Sequence, residues 1–453
     1  MRSWAAALLL GTLGCAGGGD VDEAPRNLLI VSLDTVRRDH LPTYGYPRDT
    51  ALFLDSFARR SIVFDNAYAQ DTNTTPSHAS MFTGVYPQVH GSLANTQKID
   101  DDQVTLAEIL RREGFRTAGF VSGVTMHRTY SGLDRGFELY DDGFEDLRRD
   151  GAIAATRARE WLSRRGPDQR WFLFVHLYDA HGPYLPRGEY AELFTSAEPG
   201  PRIPWVPEYQ RVPDEAGNVE TSLNDYVDRY DAMIRYTDDL LAEVLEAVDL
   251  EETVVVVLSD HGETLGERYR QLDHGGQLFD EQIRIPLIMC VPGQPPARRD
   301  AIVETVDLLP TILDWLDVAI PGDRPVQGRS FVPVMLGQED VGRELTFSSA
   351  TADESRHADR GYRLNPRERL YAVRSAEGKL IVYPGVEDDY LELYDLRSDP
   401  GERTDVASRE IGRRDAYDGL LSAWLGDERP ATVDPDELDP EHLEKLKALG
   451  YVD

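Results

Sequence analysis

Short, uninterrupted apolar runs punctuate the chain: NLLIVSL at 27–33, FRTAGFVS at 115–122, WFLFVHL at 171–177, TVVVVLS at 253–259 and IPLIMCV at 285–291. A run of about four to eight such residues without polar alternation is what a strand covered on both faces looks like. Between the runs, apolar residues recur at helical spacing over 51–60, 105–114, 152–165, 224–248 and 303–316, and Gly114 is placed to stop the second of these. Strand and helix in alternation predict an α/β fold, a mostly parallel sheet sandwiched by helices, over residues 27–335.

Beyond residue 345 the pattern shortens to RLYAVRSA, KLIVYPG and YLELYDL, separated by turn residues such as Glu377-Gly378 and Asp399-Pro400-Gly401. It predicts a small antiparallel sheet. Helices expected near 410–425 and 441–449 complete a smaller C-terminal α+β subdomain over 336–453. The segment 188–223, rich in Pro, Glu and Gly, reads as a long surface insertion near the mouth of a site.

The N-terminus, MRSWAAALLLGTLGCAGGGD, pairs Arg2 with an apolar stretch too short to span a bilayer. It reads as a secretory signal over 1–15, and Leu13-Gly14-Cys15 resembles a bacterial lipobox. The reading predicts an exported periplasmic or cell-envelope lipoprotein, attached to a membrane only through a lipid on Cys15, with 16–26 as a tether. Cys290, inside an apolar run, is then expected to be a lone buried thiol.

The 453 residues are 41% hydrophobic, which excludes a disordered chain. Lys plus Arg number 48 against 81 Asp plus Glu, a formal net charge of −33, so the field around the molecule repels nucleic acid.

Two apolar runs end in groups that can do chemistry. NLLIVSL delivers Asp34, and TVVVVLS delivers Asp260 with His261 behind it. Ligands in open α/β sheets bind beyond the carboxyl ends of strands, where two carboxylates and an imidazole suit a divalent cation; capping of the next turn is the other reading. In TTPSHASMFTG (74–84), hydroxyls precede a helix start and Gly84 ends it. A hydroxyl there sits in a field that favours an alkoxide and an incoming anion. Thr74 or Ser77 is then a nucleophile, or the segment is only a well-capped helix.

TTPSHASMFTG resembles the Cys-or-Ser-x-Pro-Ser-Arg signature of sulfatases, of the alkaline phosphatase superfamily, which continues to Leu-Thr-Gly. Other blocks similar to that family follow in order: LIVSLDT with Asp34, HLYDAHGPY with His181, VLSDHGE with Asp260 and His261, HGGQLFDEQIRIPLI with His274, and LYDLRSDPGERTDVA in the C-terminal part. The resemblance implies the sulfatase fold, a small-molecule or glycan ester as substrate, and one divalent metal ion, Ca or Mg in most members. It also implies Asp34, Asp260, His261 and the Thr74 oxygen as metal ligands, with Thr74, His78, His181 and His274 as the catalytic set.

The departures carry a chemical consequence. Sulfatases oxidise the first signature residue to formylglycine, whose hydrate attacks sulfur and later expels sulfate; Thr74, with a methyl on its β-carbon, cannot become that aldehyde. The signature Arg is His78, Thr35 stands where a second metal-binding Asp is usual, and no Lys lies between Lys98 and Lys379. His261 replaces an amide ligand, which brings Mn or Zn into consideration. A Thr ester of sulfate cannot eliminate, whereas related phosphodiesterases and phospho-headgroup transferases use a metal-bound Thr. The chain therefore reads as a metal-dependent hydrolase of a sulfate or a phosphate or phosphonate ester. The alternatives are a phospho-headgroup transferase on lipid or glycan, and an inactive glycan-binding member. Of the remaining histidines, His176 reads as a core residue, His90 and His127 as pocket or surface residues, and His40 has no assigned role.

Overall fold

The computed structural model describes residues 25–426 apart from 96, 205, 215–216, 269–271, 323–325, 339–341, 353–363, 365–367 and 386–387. The expected signal and lipobox, most of the tether and the helix expected at 441–449 lie outside the described residues.

The strands are β1 (Asn27–Leu33), β2 (Ile62–Tyr68), β3 (Arg116–Val121), β4 (Leu139–Asp141), β5 (Trp171–Leu177), β6 (Thr253–Leu258), β7 (Thr264–Leu265), β8 (Leu272–Asp273), β9 (Arg284–Cys290), β10 (Ala297–Glu304), β11 (Thr346–Thr351), β12 (Arg369–Arg374), β13 (Gly378–Tyr383) and β14 (Tyr390–Asp395). An 8-stranded sheet has the order β10-β2-β9-β6-β1-β5-β3-β4, in which β9 alone runs against its neighbours.

Alternation within β1 explains why the sheet is buried on both faces. Leu28 and Ile30 enter one apolar cluster with the helices Thr74–Thr83, Leu106–Arg112 and Leu308–Trp315. Leu29 and Val31 enter the other, with the helices Leu52–Ala58, Gly151–Leu162 and Leu223–Leu245. Each such side chain contributes about 1.5–3 kcal/mol on burial. The sandwiched, mostly parallel sheet expected from the sequence is thus present.

Two details differ. The helix expected from 303 begins only at Leu308, because Val303 and Glu304 belong to β10. Neither β2 nor β10 stands out as an apolar run: Asp65-Asn66 interrupts one at a register shift against β9, and Arg298-Arg299-Asp300 fill the exposed half of the other, an edge strand.

The second sheet, order β11-β12-β13-β14, is antiparallel throughout and packs against the helix Ile411–Leu425. It shares a core with the first sheet, where Tyr68, Phe279 and Ile302 meet Leu370, Ile381 and Tyr383. Cys290 is free and half-buried. Among the described residues no helix is long and apolar enough to cross a membrane.

Candidate active site

β6, β1 and β5 are neighbours at the centre of the large sheet. Their carboxyl ends converge on one point. Asp34 follows β1, Asp260 and His261 follow β6, and His181 lies in the loop after β5. Asp34, Asp260 and His261 are all buried, and one ligand atom from each lies within 4.8 Å of the others.

The side chains are aimed by their backbone partners. His261 donates from Nδ1 to the Gly262 carbonyl at 2.9 Å, which leaves the Nε2 lone pair turned to Thr74 Oγ1 at 3.5 Å and Asp260 Oδ2 at 3.4 Å. Tying one imidazole nitrogen to a carbonyl in this way is how proteins orient a ligand histidine. Asp260 Oδ1 accepts the His261 N–H at 2.9 Å and the Thr35 N–H at 3.3 Å. Thr35 reaches that position only at φ +58°, a strained conformation for a β-branched residue, and the Tyr230 hydroxyl donates to its carbonyl at 2.7 Å.

Asp34 Oδ1 and Asp260 Oδ2 are buried and receive no hydrogen bond. Among the described residues neither carboxylate pairs with Lys or Arg. Burial, with Asp260 alongside, pushes the Asp34 carboxyl well above its usual range; in Asp260 burial is outweighed by His261, His78 and His176, and it lies below. Two open carboxylate oxygens beside an oriented imidazole fit a divalent cation, and Asp34 would have to surrender a proton to hold one.

Thr74 begins the helix Thr74–Thr83, which ends at Gly84 with φ +70°, where a Cβ would meet Val326 at 2.8 Å. Ser77 lies one turn on, but its hydroxyl donates to the Asp260 carbonyl at 2.7 Å, leaving Thr74 as the hydroxyl that faces His261. His78 has both nitrogens engaged, Nδ1 with the Thr74 carbonyl at 2.7 Å and Nε2 with Ser32 Oγ at 2.8 Å. Burial lowers it to about 4, so it braces the helix as a neutral ring.

His181 and His274 complete the cluster. Their ring centroids are 4.9 Å apart, and His274 stacks on His261 at 4.7 Å. His181 gives Nδ1 to the Gly182 carbonyl at 2.7 Å and stacks on Tyr178, and burial lowers it to about 3. His274 Nδ1 meets Glu263 Oε1 at 3.2 Å.

Several participants carried no site assignment from sequence. His176, deep in β5, is buried as expected, yet its Nε2 contacts Asp34 Oδ2 at 2.9 Å. Glu263, two residues after His261, also accepts from Tyr184 and, at 2.7 Å, from Gln210 Nε2. Gln210 and Tyr209 come from the insertion: Tyr209 donates to Asp273 at 2.7 Å with its ring beside His181 and His274, and Gln210 approaches Gly182 so closely that a Cβ there would lie 1.9 Å from Oε1. Other histidines stand apart: His90 pairs with Ser80, His40 with Asp231, and His127 caps the turn Arg128–Ser131.

The family profile described as Sulfatase matches residues 26–318, and that described as N-sulphoglucosamine sulphohydrolase, C-terminal, matches residues 273–414. A choline-sulfatase from Rhizobium meliloti is 26% identical over 450 residues, covering 85% of this chain and 83% of that one. A Delta 4,5-hexuronate-2-O-sulfatase from Bacteroides thetaiotaomicron is 22% identical over 444 residues, covering 88% of each. The crystal structure of the phosphonate monoester hydrolase of Agrobacterium radiobacter superposes with a TM-score of 0.72 at 21% identity, over 88% of this chain and 95% of that one. A profile match over well more than half of the residues, with a sheet that gathers Asp34, Asp260 and His261, places the chain in its family: it belongs to the Sulfatase family, as a sulfatase-like hydrolase.

Proposed function

We propose that this chain is an exported, metal-dependent hydrolase that cleaves a sulfate or a phosphate or phosphonate ester through Thr74, without formylglycine. The observation that carries the reading is the pair of open carboxylate oxygens on Asp34 and Asp260 facing the free side of His261, with the Thr74 hydroxyl 3.5 Å from that imidazole. Asp34, Asp260, His261 and Thr74 would hold one divalent ion. When bound, the ion makes the hydroxyl more acidic and offsets charge on the ester's non-bridging oxygens.

Thr74 Oγ attacks sulfur or phosphorus in line, forming a Thr ester as the bond to the leaving alcohol breaks. His181, a neutral ring tied through Nδ1 to the Gly182 carbonyl and 4.9 Å from His274, lines the side that receives the ester's non-bridging oxygens, and the proton displaced from the hydroxyl passes to water. His274, whose Nδ1 meets Glu263 Oε1 at 3.2 Å, is the ring assigned to protonate the leaving oxygen. Water then cleaves the Thr ester. That second displacement is ordinary at phosphorus and slow at sulfur, so phosphorus esters are the preferred substrates. Support on each side comes from relatives: the choline-sulfatase and the hexuronate sulfatase by name act on sulfate esters, and the Agrobacterium radiobacter enzyme on phosphonate monoesters.

Turnover of p-nitrophenyl sulfate, bis-p-nitrophenyl phosphate and p-nitrophenyl phenylphosphonate by the metal-loaded enzyme, before and after Thr74→Ala, tests the reading. The variant is expected to lose at least about 10³-fold in kcat on every substrate the parent turns over. Activity confined to the sulfate would count against phosphorus, and an active Thr74→Ala would remove the nucleophile.

A further inference from the structure

Arg369, the first residue of β12, is among the largest fully buried side chains in the described protein. It belongs to the second sheet, yet its guanidinium holds both chain segments that flank Thr74. On the upstream side Nη2 donates to Asp71 Oδ2 and, at 3.0 Å, to Ser349 Oγ. Asp71 Oδ1 in turn accepts the Asn73 N–H at 2.9 Å and the Asn73 Nδ2 at 3.0 Å. Asn73 is the N-cap of the Thr74 helix, but its side chain makes no capping bond; it is turned back onto Asp71 and towards the Gly275 carbonyl, next to His274.

On the downstream side Arg369 Nη1 donates to the Leu93 carbonyl. Two residues further, Asn95 Oδ1 accepts the Thr75 N–H at 2.8 Å, the helix N–H that an N-cap side chain ordinarily takes. The cap of this helix has therefore been handed to another loop. One arginine anchors that loop and, through Asp71, the residue whose side chain was displaced.

We propose that Arg369 is a positioning residue for Thr74: it clamps Asp71–Asn73 and Leu93–Asn95 together, and so fixes the hydroxyl against His261 from a sheet that contributes no residue to the Asp34–Asp260–His261 group. The proposal rests on Thr74 being the nucleophile. A fork of donors is required, because a lysine ammonium reaching Asp71 cannot also hold the Leu93 carbonyl in the same geometry.

The test compares Arg369→Gln, Arg369→Lys and Asn95→Ala in the full, metal-loaded enzyme, reading kcat, KM, metal content and thermal midpoint on the best p-nitrophenyl ester. Arg369→Gln is expected to lower kcat about 100-fold with KM within about threefold and full metal content, since a displacement of about 1 Å at the nucleophile suffices for that loss. Arg369→Lys should recover part of the rate. Asn95→Ala should lower kcat with the same unchanged KM, and the double variant Arg369→Gln/Asn95→Ala should lose less than the product of the two single losses, because both act through one helix turn. A folded Arg369→Gln with kcat within about threefold of the parent overturns the proposal, as does a loss wholly matched by missing metal or unfolded protein. Should Arg369→Gln fail to fold, unchanged kcat in both Arg369→Lys and Asn95→Ala overturns it. An active Thr74→Ala sinks the nucleophile reading separately, whatever the Arg369 variants do.

Discussion

His176 Nε2 and Asp34 Oδ2 are 2.9 Å apart, joining the ends of two adjacent strands whose register sets Ser32 beside His176. Both side chains are fully buried. With its proton on Nε2, His176 occupies one oxygen of Asp34 and leaves the other, Oδ1, open towards Asp260 and His261.

Replacing the ring with one that cannot donate should therefore loosen the cation without touching a ligand. His176→Phe is expected to weaken Mn binding to the metal-stripped protein by about 10- to 100-fold, the usual cost of losing such a supporting hydrogen bond. Calorimetric titration measures this directly. Affinity in the parent should also rise with pH, because Asp34, held above its usual range, must release a proton as the ion enters. Unchanged affinity in His176→Phe would mean that Asp34 is oriented by its backbone alone.

The two remaining catalytic candidates should separate by leaving group. A leaving nitrophenolate needs no proton, whereas an alkoxide does. His274→Asn is expected to spare p-nitrophenyl esters to within about tenfold and to cost at least about 100-fold on the matching alkyl ester. His181→Asn, which alters a ring lining the ester's oxygens rather than the leaving group, should cost the same on both. Equal losses for His274→Asn on the two ester types would remove its role as the acid.

How far the sequence reveals this site follows from what each residue had to advertise. Asp34, Asp260 and His261 terminate apolar runs, and strand ends in an open α/β sheet point to one edge, so their meeting is legible from pattern alone. His176 hides because it interrupts no pattern: it occupies an inward position of WFLFVHL like any core residue. Arg369 hides for the opposite reason, since an arginine opening a short strand reads as exposed, and its burial depends on Asp71 almost three hundred residues earlier. β2 and β10 are obscured by the charged residues of a bulge and an edge. Tyr209 and Gln210 lie in an insertion without periodicity, and only tertiary contact sets them over His181 and Glu263.

The seam between the two sheets offers a stability test. Lys379 is fully buried, with Nζ 2.7 Å from Glu402 Oε1 and 3.1 Å from Asp280 Oδ1, and Arg374 also reaches Asp280 at 3.2 Å. Removing one partner of a buried ionic cluster leaves the others uncompensated, at a cost of about 3–5 kcal/mol. Lys379→Met is thus expected to destabilise the protein by that amount in urea unfolding. Lys379→Met with Glu402→Gln should recover part of the loss. A loss under about 1 kcal/mol in the single variant, the scale of an exposed pair, would show that water reaches this seam.

The pH dependence of stability follows from buried groups of both kinds. Burial raises Asp179 from 3.8 to about 7 and Glu263 from 4.5 to about 8, so the folded chain holds protons there that the unfolded chain has already lost, and stability falls as pH climbs through that interval. Burial lowers His78 and His176 to about 4 and His90 to about 3, from 6.5; here the unfolded chain binds the extra protons, and stability rises with pH through 6.5. The two sets oppose one another in mildly acidic solution. Well above 6.5, from about pH 7.5, the histidines are neutral in both states and the carboxyls act alone. The thermal midpoint of metal-free protein is therefore expected to fall between about pH 7.5 and about pH 9 and then to level off. Asp179→Asn, which retains an oxygen for the Gly151 N–H, should make that fall shallower. A midpoint that rises over the same interval would mean that these carboxyls are ionised within the fold, each with a counter-charge or water that satisfies it.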